Sequence, residues 1–311
     1  MAALLHYLAL CAPLFAVVGV GWALAHWPRW PARATALLSQ AVFNVALPAL
    51  LFRLMSDLSR LPPVDWRVLV AFFGSCLIVF GLERLLAWRG FQLDGVSQSL
   101  FGLAGVFSNN ALLGIPLAKV TLGEAALPTV ALVLVFNALT LWTLVTVSVE
   151  WARHGSLSLQ GLGATVRSVL SNPLILAILG GTAFGVSGLT LPPLVLTPLT
   201  WVGNVAAPLA LFTLGLGLHA HGLLAHWRPS LAMTVMKLVV QPLVVWGLAV
   251  ALGLGAIETR AVVLLGSIAV GANVYLMSRH FRVMEGPVAA SLVMSTALSA
   301  VTTPLLLAWT A

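Results

Sequence analysis

Charge is what this chain has least of: only 7% of its 311 residues are Asp, Glu, Lys or Arg, against roughly a quarter in an ordinary soluble domain. The fifteen Lys and Arg stand singly between apolar runs, with no basic stripe and no interleaved aromatics, so the net charge of +7 does not indicate a nucleic-acid surface. Nucleophile elbows, Gly-rich phosphate loops and zinc-protease helices are missing, which argues against an enzyme. His219, His221 and His226 have no Cys or acidic neighbour, and alternating His-x-His does not put both rings on one helix face; they read as a solvated loop, not a metal site. The two cysteines, Cys11 and Cys76, fall inside apolar segments and read as small buried hydrophobes. No Lys or Arg precedes the first apolar stretch and no small-residue cleavage site follows it, so that stretch is expected to remain as a span rather than act as a signal peptide.

What is abundant is apolar surface. Hydrophobic residues make up 60% of the chain and its mean hydropathy is +1.06, more than one buried core can use. The chain is expected to be an all-α integral membrane protein. Runs of about twenty apolar residues, enough to cross a hydrocarbon core of ~30 Å, occur near 8–26, 34–53, 67–88, 98–119, 127–149, 166–187, 195–218, 231–252, 259–279 and 287–309. The breaks between them carry turn and charge signals such as Pro62-Pro63-Val64-Asp65 and Trp227-Arg228-Pro229, and none is long enough for a soluble domain.

An internal repeat divides these ten spans into five plus five. Asn44-Val45-Ala46-Leu47-Pro48 reappears 160 positions later as Asn204-Val205-Ala206-Ala207-Pro208, and Asn110 and Asn273 are 163 apart. Because five is odd, the second half enters from the opposite face, an inverted-topology repeat. The division predicts a first repeat over 1–152, a connection over 153–165 and a second repeat over 166–311.

If the N-terminus is outside, nine basic residues (Arg29, Arg33, Arg84, Arg89, Arg153, Arg167, Arg228, Arg279, Arg282) fall on the cytoplasmic side and five (Arg53, Arg60, Arg67, Lys119, Arg260) outside. This bias places both termini outside.

The most informative phrase is Asn109-Asn110-Ala111-Leu112-Leu113-Gly114-Ile115-Pro116-Leu117. Two amides, a glycine and a proline make a broken helix, and backbone groups freed in lipid survive only when packed in protein or lining a cavity. Its counterpart is Gly271-Ala272-Asn273-Val274-Tyr275. Two breaks crossing near the midplane would aim half-helix N-termini, each worth about half a positive charge, at one cavity. The expected substrate-binding residues are Asn109, Asn110, Gly114, Pro116, Gly271, Asn273 and Tyr275. Asn44, Pro48, Asn204 and Pro208 read either as kinks or as cavity wall. Lys237 either snorkels to the cytoplasmic surface or serves the cavity. Glu83 and Glu150 are expected near the cytoplasmic surface and the other six acids in connections or at span edges, so no carboxylate is expected near the midplane.

The phrase Ser108 to Leu117 resembles the fourth helix of the auxin efflux carrier family, which holds bacterial transporters of small carboxylates and the plant auxin carriers. Phe43 to Phe52 resembles the family's second helix, Asn172-Pro173-Leu174 the start of its sixth, Lys237-Leu238 with Pro242 its eighth, and Asn273-Val274-Tyr275 with Arg279 its ninth. One departure is Ala269, where the family commonly has proline. The resemblance implies a ten-helix fold shared with bile-acid-type sodium symporters, in which spans 1, 2, 6 and 7 form a scaffold and the others an elevator-like moving domain. The function it implies is secondary transport of a small organic anion across a bacterial inner membrane, and because no carboxylate is expected near the midplane that transport is expected not to require sodium. Rival readings are a sodium-coupled symporter of the same fold and a membrane ligand sensor that transports nothing. The expected partners are the anion, the lipid bilayer and, through the scaffold helices, a second copy of the chain; no nucleic acid, cofactor or metal is expected.

Overall fold

A computed structural model describes residues 2–27, 29–56, 65–154, 171, 173–218 and 227–310, and among them every regular element is helical. In chain order these are α1 (Ala2–Ala25), α2 (Ala32–Ala41, Val42–Ala46 and Leu47–Ser56), α3 (Trp66–Phe91), α4 (Gly95–Val106), α5 (Ile115–Thr121, preceded by Asn110–Gly114), α6 (Leu127–His154), α7 (Pro173–Val186), α8 (Pro193–Leu218), α9 (Trp227–Val235, Met236–Val240 and Gln241–Ala251), α10 (Ala256–Ser267), α11 (Ala272–Phe281) and α12 (Glu285–Trp309). Six of the helices are long and apolar enough to cross a membrane: Leu4–Ala25, Arg33–Arg53, Trp66–Phe91, Pro193–Gly217, Trp227–Ala251 and Glu285–Trp309. Large side chains on their outer faces are apolar, as at Leu77, Ile78, Val205, Val250 and Val301. Such a surface suits hydrocarbon, not water. The histidine loop at 219–226 and the expected connection from 155 onward lie outside the described residues.

Local chemistry sets the helix ends. Asp65 caps α3 by accepting the Arg67 N–H at 2.9 Å, and Asp94 caps α4 by accepting the Val96 and Ser97 N–H groups at 3.0 and 3.1 Å. Arg67 also grips the Asp65 carboxylate at 2.8 Å, which holds that carboxyl below the usual range.

Three helices contain a π-turn, at Val42–Ala46, Asn110–Gly114 and Met236–Val240, and each ends two residues before a proline: Pro48, Pro116 and Pro242. Proline cannot donate to the carbonyl four residues back, and its ring clashes with that carbonyl. The wider turn relieves the clash, and in each case the residue just before the proline donates to the fifth residue back: Leu47 to Val42, Ile115 to Asn110 and Gln241 to Met236.

Packing relies on small residues where helices touch along their backbones. Gly21 of α1 faces the Phe212 carbonyl of α8, and Gly215 of α8 faces the Val18 carbonyl of α1; a Cβ at either would collide with the opposing backbone. Without a hydrophobic drive between helices in lipid, this close approach is a main source of association. Replacing Gly21 or Gly215 with leucine should therefore lower the detergent melting temperature, with a cost of about 1–3 kcal/mol for overpacking. Gly19→Leu, which enters open space, should not. Equal melting temperatures for all three variants would show that α1 and α8 do not meet at these glycines.

Candidate functional site

The helix made by α4 and α5 is broken over Phe107–Asn109, where Phe107 is extended (φ −86, ψ 98), and that made by α10 and α11 is broken over Ile268–Gly271 (Ile268 φ −80, ψ 165; Gly271 φ −73, ψ 141). The two extended pieces run antiparallel across each other through a bridge between Ser108 and Val270. The Asn109 N–H donates to the Ala269 carbonyl at 2.9 Å, and the Gly271 N–H donates to the Phe107 carbonyl at 2.7 Å. Gly271 makes the approach possible, since a Cβ there would lie 3.0 Å from the Phe107 ring and 3.1 Å from the Ser108 oxygen.

Other freed backbone groups are met by side chains. A buried hydroxyl stripe on α12, Ser291, Ser295, Ser299 and Thr303, recurs every four residues, one face of a helix. From it, Ser295 Oγ accepts the Val270 N–H at 3.0 Å, and Thr303 Oγ1 donates to the Ser267 carbonyl at 3.2 Å. From α9, Gln241 Nε2 donates to the Val106 carbonyl at 3.3 Å, and Lys237 Nζ donates to the Gly266 carbonyl.

A cavity of about 50 Å³ opens at the crossing, several times the minimum that holds one water. Both half-helix N-termini line it, through Asn109, Asn110, Ala111 and Leu112 on one side and Gly271, Ala272 and Asn273 on the other. Neither terminus has a side-chain cap, unlike α3 and α4 with their aspartates. Its lining also holds buried polar atoms without a hydrogen-bond partner: Ser108 Oγ, Asn109 Nδ2, Asn137 Oδ1 and both amide atoms of Asn110. No acidic side chain is among the lining residues; Phe43, Leu51, Leu134 and Leu174 complete the wall. Uncapped helix N-termini and amide N–H donors suit an anion.

Of the residues singled out from sequence, the structure gathers Asn109, Asn110, Gly271 and Asn273 around this cavity. Gly114 and Pro116 are buried beneath it, with Gly114 pressed against Leu265, and Tyr275 is half-buried against the core. Asn44, Asn204 and Pro208 are exposed on α2 and α8, and Pro48 is half-buried; none of the four lines the cavity. Asn137 was not anticipated. It is a lone amide in the apolar run of α6, 5% exposed, and only the packing of α6 against the crossing reveals its place.

Two expectations require correction. Of the two readings left open for Lys237, snorkelling does not fit: its side chain is fully buried on α9. Glu83, expected in the last turn of its span, is not left open at a helix end either. It is fully buried on α3, and its Oε2 accepts the Gly105 N–H at 2.9 Å. In both cases the helix runs further than the apolar count suggested, and neighbouring helices close over the side chain. Ala269, lacking the family's proline, nevertheless sits in a broken segment, because the crossing and Ser295 hold the extended backbone.

A membrane transport protein family matches residues 6–307. The chain belongs to that family, which agrees with the resemblance to auxin efflux carriers, and it is a multi-pass membrane transporter rather than an enzyme. A Rhizobium meliloti (strain 1021) protein named "Putative malonate transporter" is 28% identical over 298 residues, covering 93% of this chain and 91% of the relative.

The unpartnered amides predict a dissociation of stability from binding. Asn109→Ala, Asn110→Ala and Asn137→Ala should melt within a few degrees of wild type, because no protein hydrogen bond of the unpartnered atoms is lost. Each should lose the thermal shift that a bound carboxylate produces. Melting-temperature losses as large as those of Gly21→Leu would make these amides structural.

Proposed function

We propose that this chain is a secondary transporter of a small carboxylate, with malonate as the first candidate, and that the substrate binds in the cavity at the crossing. The observation that carries the reading is the pair of uncapped half-helix N-termini facing one cavity that contains unpartnered amides and no carboxylate. Asn109, Asn110, Asn273 and Asn137 supply the hydrogen bonds. Two termini suit the two carboxylates of a malonate-like substrate, and charge-assisted bonds to them are about twice as strong as neutral ones. The name of the Rhizobium meliloti relative points the same way.

In this reading the chain has ten spans as two inverted five-helix repeats, with both termini outside the bacterial inner membrane. The crossing moves with spans three to five and eight to ten, elevator-fashion, against a scaffold of the remaining four. Transport does not require sodium. Gly90→Cys should be shielded from an impermeant thiol reagent in intact cells and Glu124→Cys should be labelled; the reverse pattern would invert the topology.

The functional test is counterflow in proteoliposomes. Malonate should exchange with choline in place of sodium and should compete better than acetate, which has one carboxylate. Failure of every carboxylate to exchange would defeat the transport reading, and exchange only in sodium would favour a sodium-coupled symporter.

A further inference from the structure

The two half-helices that end at the crossing, α4 and α10, bring carbonyls there as well as N–H groups. Such C-terminal carbonyls carry partial negative charge, and in transporters with broken helices they hold the coupling cation. Here side chains from α9 fill that place. Lys237 Nζ donates to the Gly266 carbonyl of α10 and, at 2.8 Å, to Gln241 Oε1; Gln241 Nε2 reaches the Val106 carbonyl of α4 at 3.3 Å. Glu83 lies beside this arrangement, on Gly105, the residue before the Val106 that Gln241 reaches. Its Oε2 accepts the Gly105 N–H at 2.9 Å while Oε1 has no hydrogen-bond partner. Gly105 admits the carboxylate, because a Cβ there would collide with it. Lys237, Gln241 and Glu83 are all fully buried, and none of them lines the substrate cavity.

We propose that the Lys237 ammonium is a tethered cation standing where a coupling ion would bind, so that the positive charge at the crossing is part of the chain. Two oxygens hold the ammonium, the Gly266 carbonyl and the Gln241 amide oxygen, and the buried Glu83 carboxylate on neighbouring Gly105 supplies the negative charge. Oxygen donors of this kind are what a hard cation takes. Removing the ammonium leaves them facing a vacated space of one side chain, and that space admits a sodium ion. Lys237 is thus a positioning residue that fixes the C-terminal ends of both half-helices and frees the cavity from dependence on sodium. The inference rests on the crossing being the transport site only for its transport arm.

The experiment compares purified full-length protein in sodium chloride and in choline chloride at equal ionic strength, by Tm and by carboxylate counterflow. Wild type should show the same Tm and rate in both salts. Lys237→Ala should be destabilised in choline and recover by several degrees in sodium, with counterflow at least about tenfold faster in sodium than in choline. Lys237→Met, which fills the space with an apolar chain, should not respond to sodium. Adding Glu83→Gln to Lys237→Ala should abolish the recovery, since the buried carboxylate is the negative charge that a sodium ion there would answer. A merely structural lysine gives equal losses in both salts, and that result overturns the proposal. A selective sodium-induced rise in wild-type Tm overturns it too, since the place would then not be taken. Failure of Lys237→Ala to fold even in sodium also counts against it. The Tm arm needs no substrate, so it decides this proposal even if no carboxylate is transported.

Discussion

The architecture depends on one constraint: in hydrocarbon, a backbone N–H or C=O that leaves a helix must find its partner inside the protein. Breaking two helices at Phe107–Asn109 and Ile268–Gly271 frees such groups inside the packed bundle. The breaks persist because they satisfy each other, through Asn109 with Ala269 and Gly271 with Phe107, and because α9 and α12 supply the remainder. The hydroxyl stripe of α12, the Gln241 amide and the Lys237 ammonium are explained by that demand. Carrying a cation into such a place costs roughly 2.5–3.5 kcal/mol on insertion scales. The Gly266 carbonyl and Gln241 offset that cost.

The polar groups at the crossing thus divide into two sets. Those behind it are largely paired and define the backbone. Those in front, on Ser108, Asn109, Asn110 and Asn137, leave at least one atom without a protein partner. A buried unpaired polar group costs about 1–3 kcal/mol, and several retained in one cavity support the proposal that a ligand meets them there. That contrast, more than the cavity's shape, separates the proposed binding region from its support.

Legibility in the sequence followed how local the cause was. The first break could be read because Asn110, Gly114 and Pro116 act on their own stretch of backbone. The second break had no proline at Ala269 and was legible only through the repeat, since tertiary pairing holds it extended. Asn44 and Asn204 repeat faithfully yet face outward, because a repeat reports register along the chain and not which side of a helix is covered. Asn137, Lys237 and Glu83 were hidden or misjudged for one reason: burial of a single polar residue in an apolar helix is decided by its neighbours. The family match confirmed the broad class that composition and the Asn109-to-Pro116 phrase had indicated.

The π-turn in α2 also alters the angular phase of that helix. Phe43 and Leu51 both border the cavity although eight residues separate them. At about 100° per residue an unbroken α-helix would place them ~80° apart. The π-turn at Val42–Ala46 takes up one additional residue. The rotation between Phe43 and Leu51 then falls to about that of seven α-helical residues, within ~20° of two full turns, and their side chains come into line. Deleting one residue inside the turn would restore ordinary winding and swing everything before it around the helix axis, taking Phe43 away from the cavity wall. The proline two residues beyond the turn therefore sets more than a bend: it fixes which residues of the preceding half of α2 look inward.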